Sequence, residues 1–113
     1  MESVLKSIGF CKCSIQSLKL IQIPTGKVVQ GKSEFAVSVL NECSCKQGNI
    51  KVNCSGFQTT EVINPLLFKN DECDRKKCVL LNGLPIGIHE SIDFVYAWDT
   101  QFPFSVVYAE KAC

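Results

Sequence analysis

The chain has 113 residues, and its 12 basic and 11 acidic side chains leave a net charge of +1. This balance argues against a nucleic-acid-binding protein, which needs a clustered excess of positive charge. The length fits one domain with a modest core, and no stretch approaches the ~20 apolar residues of a membrane span.

Eight of the residues are cysteines. An even number of cysteines in a small domain indicates disulfides and an oxidising compartment, although their spacing leaves the pairing open. Residues 1–10 contain no apolar run of the kind that a signal peptide needs. We therefore interpret them as a disordered or tag-like leader of a secreted, extracellular chain that lacks its signal peptide here, and residues 11–113 as a single domain. The cysteines expected to form disulfides are Cys11, Cys13, Cys43, Cys45, Cys54, Cys73, Cys78 and Cys113.

The first part of this domain predicts one strand and an irregular segment. Residues 14–23 are rich in leucine and isoleucine and predict a strand. Pro24, Thr25 and Gly26 should end it, because proline and glycine interrupt regular structure. We expect residues 27–31 to form an edge segment or a loop.

Residues 34–56 predict the central hairpin of the domain. Apolar side chains alternate with others through residues 35–40 and again through 50–55, and a period of two places successive side chains on opposite faces of a sheet. The polar, glycine-containing residues 46–49 predict the turn between the strands. Asn53, Cys54 and Ser55 form a sequon for N-glycosylation. Alternation places Asn53 on the solvent face, although an early disulfide at Cys54 would oppose modification.

The rest of the chain predicts further strands. Residues 57–63 form a strand candidate that Asn64 and Pro65 end, and residues 66–68 predict one helical turn. Residues 79–81 predict a short strand, and Asn82-Gly83 is a strong signal for a two-residue hairpin turn. Residues 92–97 and 102–109 predict the last strands. The pattern of about seven strands with little or no helix predicts an all-β, disulfide-stapled antiparallel β-sandwich.

The order of the cysteines and of several short motifs resembles a known family. These motifs are Asn-x-Cys-x-Cys (residues 41–45), Ile-x-Val-x-Cys-x-Gly-Phe (50–57), Ile-Asn-Pro-x-x-Phe (63–68), Val-x-x-Asn-Gly-x-Pro-Ile (79–86) and Phe-x-Tyr-Ala (94–97). Over nearly the whole domain the chain resembles the short branch of the plant Tapetum Determinant-like family of small secreted cysteine-rich proteins. The resemblance implies a secreted ligand that a leucine-rich-repeat receptor kinase reads during anther cell specification.

The chain also departs from the founding members of that family. Ser55 stands where they have a glycine after the cysteine, and Lys76 and Lys77 precede Cys78 where they have two aspartates. Cys11 and Cys73 lie outside the six-cysteine pattern, and as the two left over they are candidates for a fourth bridge.

Other chemistries that cysteines support are disfavoured by the pattern. Structural zinc sites use Cys-x₂₋₄-Cys pairs, whereas the two pairs here are Cys-x-Cys, and His89 is the single histidine. A catalytic cysteine needs a nearby base, which one histidine beside an even set of cysteines does not favour. The lack of a βαβ pattern opposes a nucleotide-sugar enzyme. We expect no enzymatic activity and no cofactor.

Two functional hypotheses follow. The first is a non-enzymatic signalling ligand that docks on a receptor ectodomain through loop residues, with Asn64, Pro65, Phe68 and Trp98 as the candidates. Phe68 has an alternative role as a plug at one end of the sandwich. The second hypothesis is a module that binds cell-wall carbohydrate. It would stack sugars on Trp98 and on neighbouring aromatic rings, namely Phe102, Phe104 and Tyr108. The alternative is a core role, in which Phe104, Val106 and Tyr108 alternate as one buried face.

Overall fold

Two antiparallel β-sheets face each other in the computed structural model, which describes residues 13–113. The strands are β1 (Leu18–Val29), β2 (Lys32–Asn41), β3 (Lys46–Asn53), β4 (Phe68–Asn70), β5 (Lys77–Leu80), β6 (Ser91–Trp98) and β7 (Val106–Ala112). One sheet has the order β1–β2–β6 and the other the order β4–β5–β3–β7. The predicted all-β, seven-stranded, antiparallel architecture is confirmed. The predicted leader and Cys11 lie outside the described residues.

A hairpin that the sequence did not predict joins β1 and β2. Val29 pairs with Lys32, so that Gln30 and Gly31 form a two-residue turn, with φ angles of 50° and 79°. Positive φ at both positions is typical of a type I′ turn, whose twist matches that of the two strands of a hairpin. The predicted break at Pro24 is wrong: β1 continues past it through a bulge between Pro24 and Val28. An edge strand tolerates a proline because one side of it makes no ladder hydrogen bonds.

The predicted hairpin over residues 34–56 is also wrong, although both of its strands exist. β2 pairs with β1 and β6, whereas β3 pairs with β5 and β7, so the two strands belong to different sheets. Residues 46–49 are the start of β3 rather than a turn. The change of sheet takes place over residues 42–45.

Three smaller expectations differ from the structure. Residues 57–63 contain no strand, and the last strand begins at Val106 rather than at residue 102. Asn82 and Gly83 belong to a short 3-10 turn, Leu81–Gly83, and do not join two paired strands. β5 and β6 on either side of this turn lie in different sheets. Among residues 13–113, no helix has the length and apolar character needed to cross a membrane.

The core lies between the two sheets. Val39 and Ile92 of the three-stranded sheet and Ile50, Val52 and Leu80 of the four-stranded sheet are at most 2% exposed. Aromatic rings fill one part of this core: the ring of Phe57 lies 5.0–5.3 Å from those of Phe68, Tyr96, Phe102 and Phe104. Edge-on ring contacts at such distances add to the stabilisation from burial.

Candidate interaction surfaces

The prediction of disulfides is confirmed for six of the eight cysteines. Cys73 is exposed and forms no disulfide with another cysteine of residues 13–113. Its suggested partner Cys11 lies outside the described residues, so the fourth bridge stays a prediction, and residues 13–113 hold three bridges. The bridges are Cys13–Cys43, Cys45–Cys113 and Cys54–Cys78.

The Asn-x-Cys-x-Cys motif forms the corner between β2 and β3. The buried Asn41 amide group donates to the carbonyl oxygens of Cys45 and Ile86, both at 3.0 Å, and its Oδ1 accepts from the amide of Cys43 at 3.0 Å. A buried side chain that satisfies backbone groups on both sides of a bend fixes that bend. The motif is thus a structural device that directs the chain into the second sheet.

Two of the bridges meet at this corner. The sulfur atoms of Cys13, Cys43 and Cys45 all lie within 4.8 Å of one another. Free thiolates at this spacing would suit a soft metal such as zinc. All three sulfurs are engaged in disulfides, however, so they have no thiolate to offer a metal.

The structure separates the four predicted contact residues. Asn64 and Pro65 are exposed in a turn, where the Oδ1 of Asn64 accepts from the amide of Leu66 at 2.9 Å. Phe68 is only 5% exposed, and its ring packs on Phe94 at 4.6 Å. The surface role considered for Phe68 is therefore corrected to its alternative role in the core.

The predicted aromatic platform for sugars is not assembled. Phe102 and Phe104 pack against each other, with ring centres 6.1 Å apart, as part of the core cluster. Trp98 is half-buried in β6, with the Lys32 ammonium 5.2 Å above its ring. Tyr108 lies in β7 of the other sheet. Stacking of a sugar needs adjacent exposed rings, and these four side chains do not provide them.

The outer side of the three-stranded sheet carries an apolar face that the sequence reading missed. Ile21 and Ile23 in β1 are 54% and 57% exposed. They share a groove of about 460 Å³ with residues opposite them on β2 and β6. The sequence signal for this face is that β1 has apolar side chains on both of its sides. A strand with only one covered face has apolar residues that alternate with polar ones. The apolar face consists of Ile21, Ile23, Ala36, Ser38, Asp93 and Val95.

Asp93 is the charged group of the apolar face. It pairs across the sheet with Ser38, and its Oδ2 accepts a hydrogen bond from Ser91 Oγ at 2.7 Å. The face therefore combines exposed aliphatic carbon with one carboxylate.

A polar cluster lies on the outer side of the four-stranded sheet. Lys51 Nζ is 3.0 Å from Asp71 Oδ2 and 5.5 Å from the centre of the Tyr108 ring. A hydrogen bond from the amide of Cys73, together with Lys51, holds the pKa of Asp71 below its ordinary value. The hydrogen bond to Asp71 raises the pKa of Lys51. A hydrogen bond to Glu110 raises the pKa of Tyr108. Lys51 of β3 thus contacts both Asp71, in the loop after β4, and Tyr108 of β7, and links these three elements.

The glycosylation candidate Asn53 is exposed at the end of β3. Its side-chain oxygen accepts from the amide of Ser55 at 3.4 Å. The next residue, Cys54, is buried and bonded to Cys78. The side-chain amide of Asn53 thus lies at the surface while the sequon's central residue points into the core.

A family model described as "Tapetum determinant 1, C-terminal" matches residues 14–113. The chain belongs to this family. TPD1 protein homolog 1 of Arabidopsis thaliana is 30% identical over 96 residues, which are 83% of this chain and 52% of that protein. The chain thus spans about half the length of this relative. Uncharacterized protein At1g05835, also of Arabidopsis thaliana, is 27% identical over 114 residues, covering 86% of this chain and 89% of that protein. No solved structure gives a significant match.

Family membership gives the motifs of the sequence a structural meaning. The family match covers all three disulfides except for Cys13, which precedes it by one residue. It also covers the corner at Asn41 and the whole of the apolar face. These features belong to the part of the chain that the family shares.

Proposed function

We propose that this chain is a non-enzymatic, secreted signalling ligand in plant reproductive development, and that it binds the ectodomain of a leucine-rich-repeat receptor kinase. Membership of the Tapetum determinant 1 family supports this role. Three disulfides in a small domain support an oxidising, extracellular location. The class of receptor is the one that the family resemblance implies.

The observation that carries the proposal is the exposed apolar face. Ile21 and Ile23 lie next to each other on this face and are more than half exposed, and a cluster of exposed aliphatic side chains is a candidate interaction site. Asp93 adds one negative charge to this face. The partner that fits is an ectodomain surface with apolar side chains and one cationic group opposite Asp93, because charge complementarity fixes the register of an apolar contact.

A pair of matched variants tests this docking mode. Ile23→Lys places a charge in the apolar face, whereas Leu84→Lys places one at a loop residue that is equally exposed, at 60% against 57%. Binding of each variant to a panel of immobilised receptor-kinase ectodomains is measured by surface plasmon resonance. A residue at the centre of an interface contributes about 2 kcal/mol or more, so Ile23→Lys should weaken binding by about 30-fold. Leu84→Lys should leave affinity within about two-fold.

Three other results would contradict parts of the proposal. If no ectodomain of the panel binds the wild-type chain, the receptor class is wrong. If both variants weaken binding equally, docking does not use the apolar face. If the wild-type chain is a dimer by light scattering and Ile23→Lys makes it a monomer, a second copy covers this face instead.

A secreted ligand of this kind would also carry a glycan on Asn53. The side chain is exposed, and the disulfide that buries Cys54 cannot form until Cys78, 24 residues later, has been synthesised. At a synthesis rate of roughly 5–20 residues per second, the sequon stays open for about 1–5 s. Expression in a secreting plant cell should give a chain whose mass falls on treatment with an N-glycosidase. The variant Ser55→Ala, which keeps Asn53, should not show this fall, and an unchanged wild-type mass would exclude the modification.

A further inference from the structure

Residues 58–62, here called the strap, close one end of the three-stranded sheet. The amide of Thr60 donates to the Ala97 carbonyl oxygen at 2.9 Å, and the amide of Ala97 donates to Thr59 Oγ1 at 3.0 Å. Thr60 Oγ1 donates to the carbonyl oxygen of Val29 at 2.9 Å. The strap thus contacts both outer strands of this sheet, β6 and β1.

Two carboxyl groups meet beneath the strap. Glu34 pairs across the sheet with Ala97, on the side opposite the core, and is only 6% exposed. The bulge in β1 brings Thr25 Oγ1 to 2.8 Å from Glu34 Oε1. Thr60 of the strap bonds to Ala97, the cross-strand partner of Glu34, which brings the neighbouring Glu61 beside Glu34. Glu61 Oε1 is buried without a hydrogen-bond partner. Two carboxyl groups in such a site can hydrogen-bond to each other only when one of them holds a proton.

The surroundings assign this proton to Glu61. The hydrogen bonds from Thr25 and Glu61 lower the pKa of Glu34, and Lys27 adds a smaller effect in the same direction. Burial, followed by the proximity of Glu34, raises the pKa of Glu61. Lys27 Nζ lies 3.9 Å from Glu34 Oε2. The Lys27 side chain is 65% exposed, so solvent weakens its attraction to the Glu34 carboxylate.

Few other charges face the pair among residues 13–113. Lys32, at the same end of the sheet, is bonded to Asp99 at 2.7 Å. The groups of β6 that contact the strap belong to Ala97, which carries no charge.

We propose that the proton shared between Glu34 and Glu61 holds the strap against the sheet, and that its loss releases the strap. Without it, two negative charges would share a buried site, and Glu61 Oε1 would carry charge with no donor. Release would uncover Glu34 and Ala97, which adjoin the apolar face at Ala36 and Val95. This device depends on the described contacts alone and not on the proposed receptor.

The direction of the pH effect follows from the two shifts. The pKa of Glu61 is raised above its ordinary value of 4.5, so its contribution to closure is present at low pH and is lost as pH rises through the raised value. The pKa of Glu34 is lowered, so its contribution is lost only as pH falls through the lowered value. The strap is held best between these two values.

Amide hydrogen exchange followed by NMR tests the device. In the wild-type chain, the protection factor of the Thr60 amide should fall by up to about tenfold per pH unit above the pKa of Glu61, the limit for release of one proton. The protection factor of the buried Val39 amide should stay constant. In Glu61→Gln the side-chain amide donates to Glu34 at every pH, so the protection of Thr60 should not change. Glu42→Gln, which alters an exposed carboxylate away from the strap, should behave like the wild type.

Several results would overturn the proposal. Constant protection of Thr60 in the wild-type chain across the pH range would exclude a proton-held strap. The same would follow if Glu61→Gln kept the wild-type pH dependence. Glu34→Gln supplies a second test, because a glutamine there also removes the like-charge repulsion at high pH. Removal of Glu34 should lower the pKa of Glu61 and so shift the loss of Thr60 protection to lower pH. If Glu61→Gln does not fold, an unshifted pH dependence in Glu34→Gln would refute the device.

Discussion

Replacing both Cys54 and Cys78 with alanine removes the disulfide that joins β5 to the end of β3. The bridged residues are 24 positions apart, and in the chain-entropy model a loop of this length contributes about 3.5 kcal/mol to the free energy of unfolding at 25 °C. Both cysteines are also buried, at 3% and 1% exposure. The two sulfur atoms add about 1.5 kcal/mol of lost burial, which gives a total loss of about 5 kcal/mol.

Urea denaturation without reductant measures this loss. With an m-value of about 1.5 kcal/mol/M for a domain of this size, the midpoint should fall by about 3 M. The control is Cys73→Ala, which removes an exposed side chain that forms no disulfide within residues 13–113 and should change the free energy of unfolding by less than ~0.5 kcal/mol. Reduction of the wild-type chain should lower its midpoint by at least as much as the double substitution does.

A loss below ~1 kcal/mol in the double variant would refute this reasoning. It would mean that the bridge does not form in solution, or that the unfolded chain is already restricted to a similar degree. Intact mass after alkylation separates these cases, because an absent bridge leaves two further reactive thiols.

Three other predictions follow from the described contacts. Alkylation without reduction should label Cys73 but none of the six bridged cysteines, as peptide mapping would show; label on a bridged cysteine would contradict the pairing. Tyr96→Phe should cost about 2 kcal/mol in urea denaturation, because the buried hydroxyl donates to Gln22 at 2.6 Å and accepts a backbone amide; a loss under ~0.5 kcal/mol would exclude this role. The pKa of Asp71 is lowered, so its stabilising contribution is present above the ordinary value of 3.8 and is lost as pH falls through the lowered one; Asp71→Asn should remove this acid dependence of the unfolding midpoint, while Lys51 keeps its position.

The sequence predicts the strands of this fold well because alternation is a local property. Residues 35–40, 50–53, 79–80 and 92–97 lie in strands, as their patterns indicate. Which strands pair is not local. An alternating strand fits either sheet, so the pattern in residues 34–56 does not distinguish a hairpin from a corner. The buried side chain of Asn41 fixes the corner, since its amide group donates to the carbonyl oxygens of Cys45 and Ile86.

Whether a turn closes a hairpin depends on the strands that flank it and not on the turn residues alone. Gln30-Gly31 closes a true hairpin although glutamine is a weak turn residue, because β1 and β2 are long and pair on both sides of the bulge between Pro24 and Val28. Asn82 and Gly83 have the positive φ angles that such a turn needs, 54° and 84°, yet they lie in a 3-10 turn. The chain after them crosses to the other sheet, so no partner strand is available to complete a hairpin.

The candidate surfaces were harder to predict than the fold. The position of Phe68 outside the predicted strands suggested a surface contact. Its ring instead packs in the aromatic cluster of the core, because burying a large apolar ring is favourable wherever it lies in the chain. The sequence does not show that the isoleucines of β1 are exposed, because a strand with apolar residues on both sides has the pattern of a fully buried strand. Such a strand at a sheet edge, with one face open, leaves aliphatic side chains exposed on the outer side of the sheet.

The placement of the disulfides explains why a pH change would act locally. Two bridges tie the corner after β2 to the two ends of the described chain, and the third lies within the four-stranded sheet. The strands of the three-stranded sheet contain no cysteine, and its end under the strap is held by hydrogen bonds and packing alone. Local opening occurs where few covalent or buried contacts resist it. Loss of the proton at Glu61 should therefore loosen the strap beside the apolar face while the bridged sheet keeps its structure.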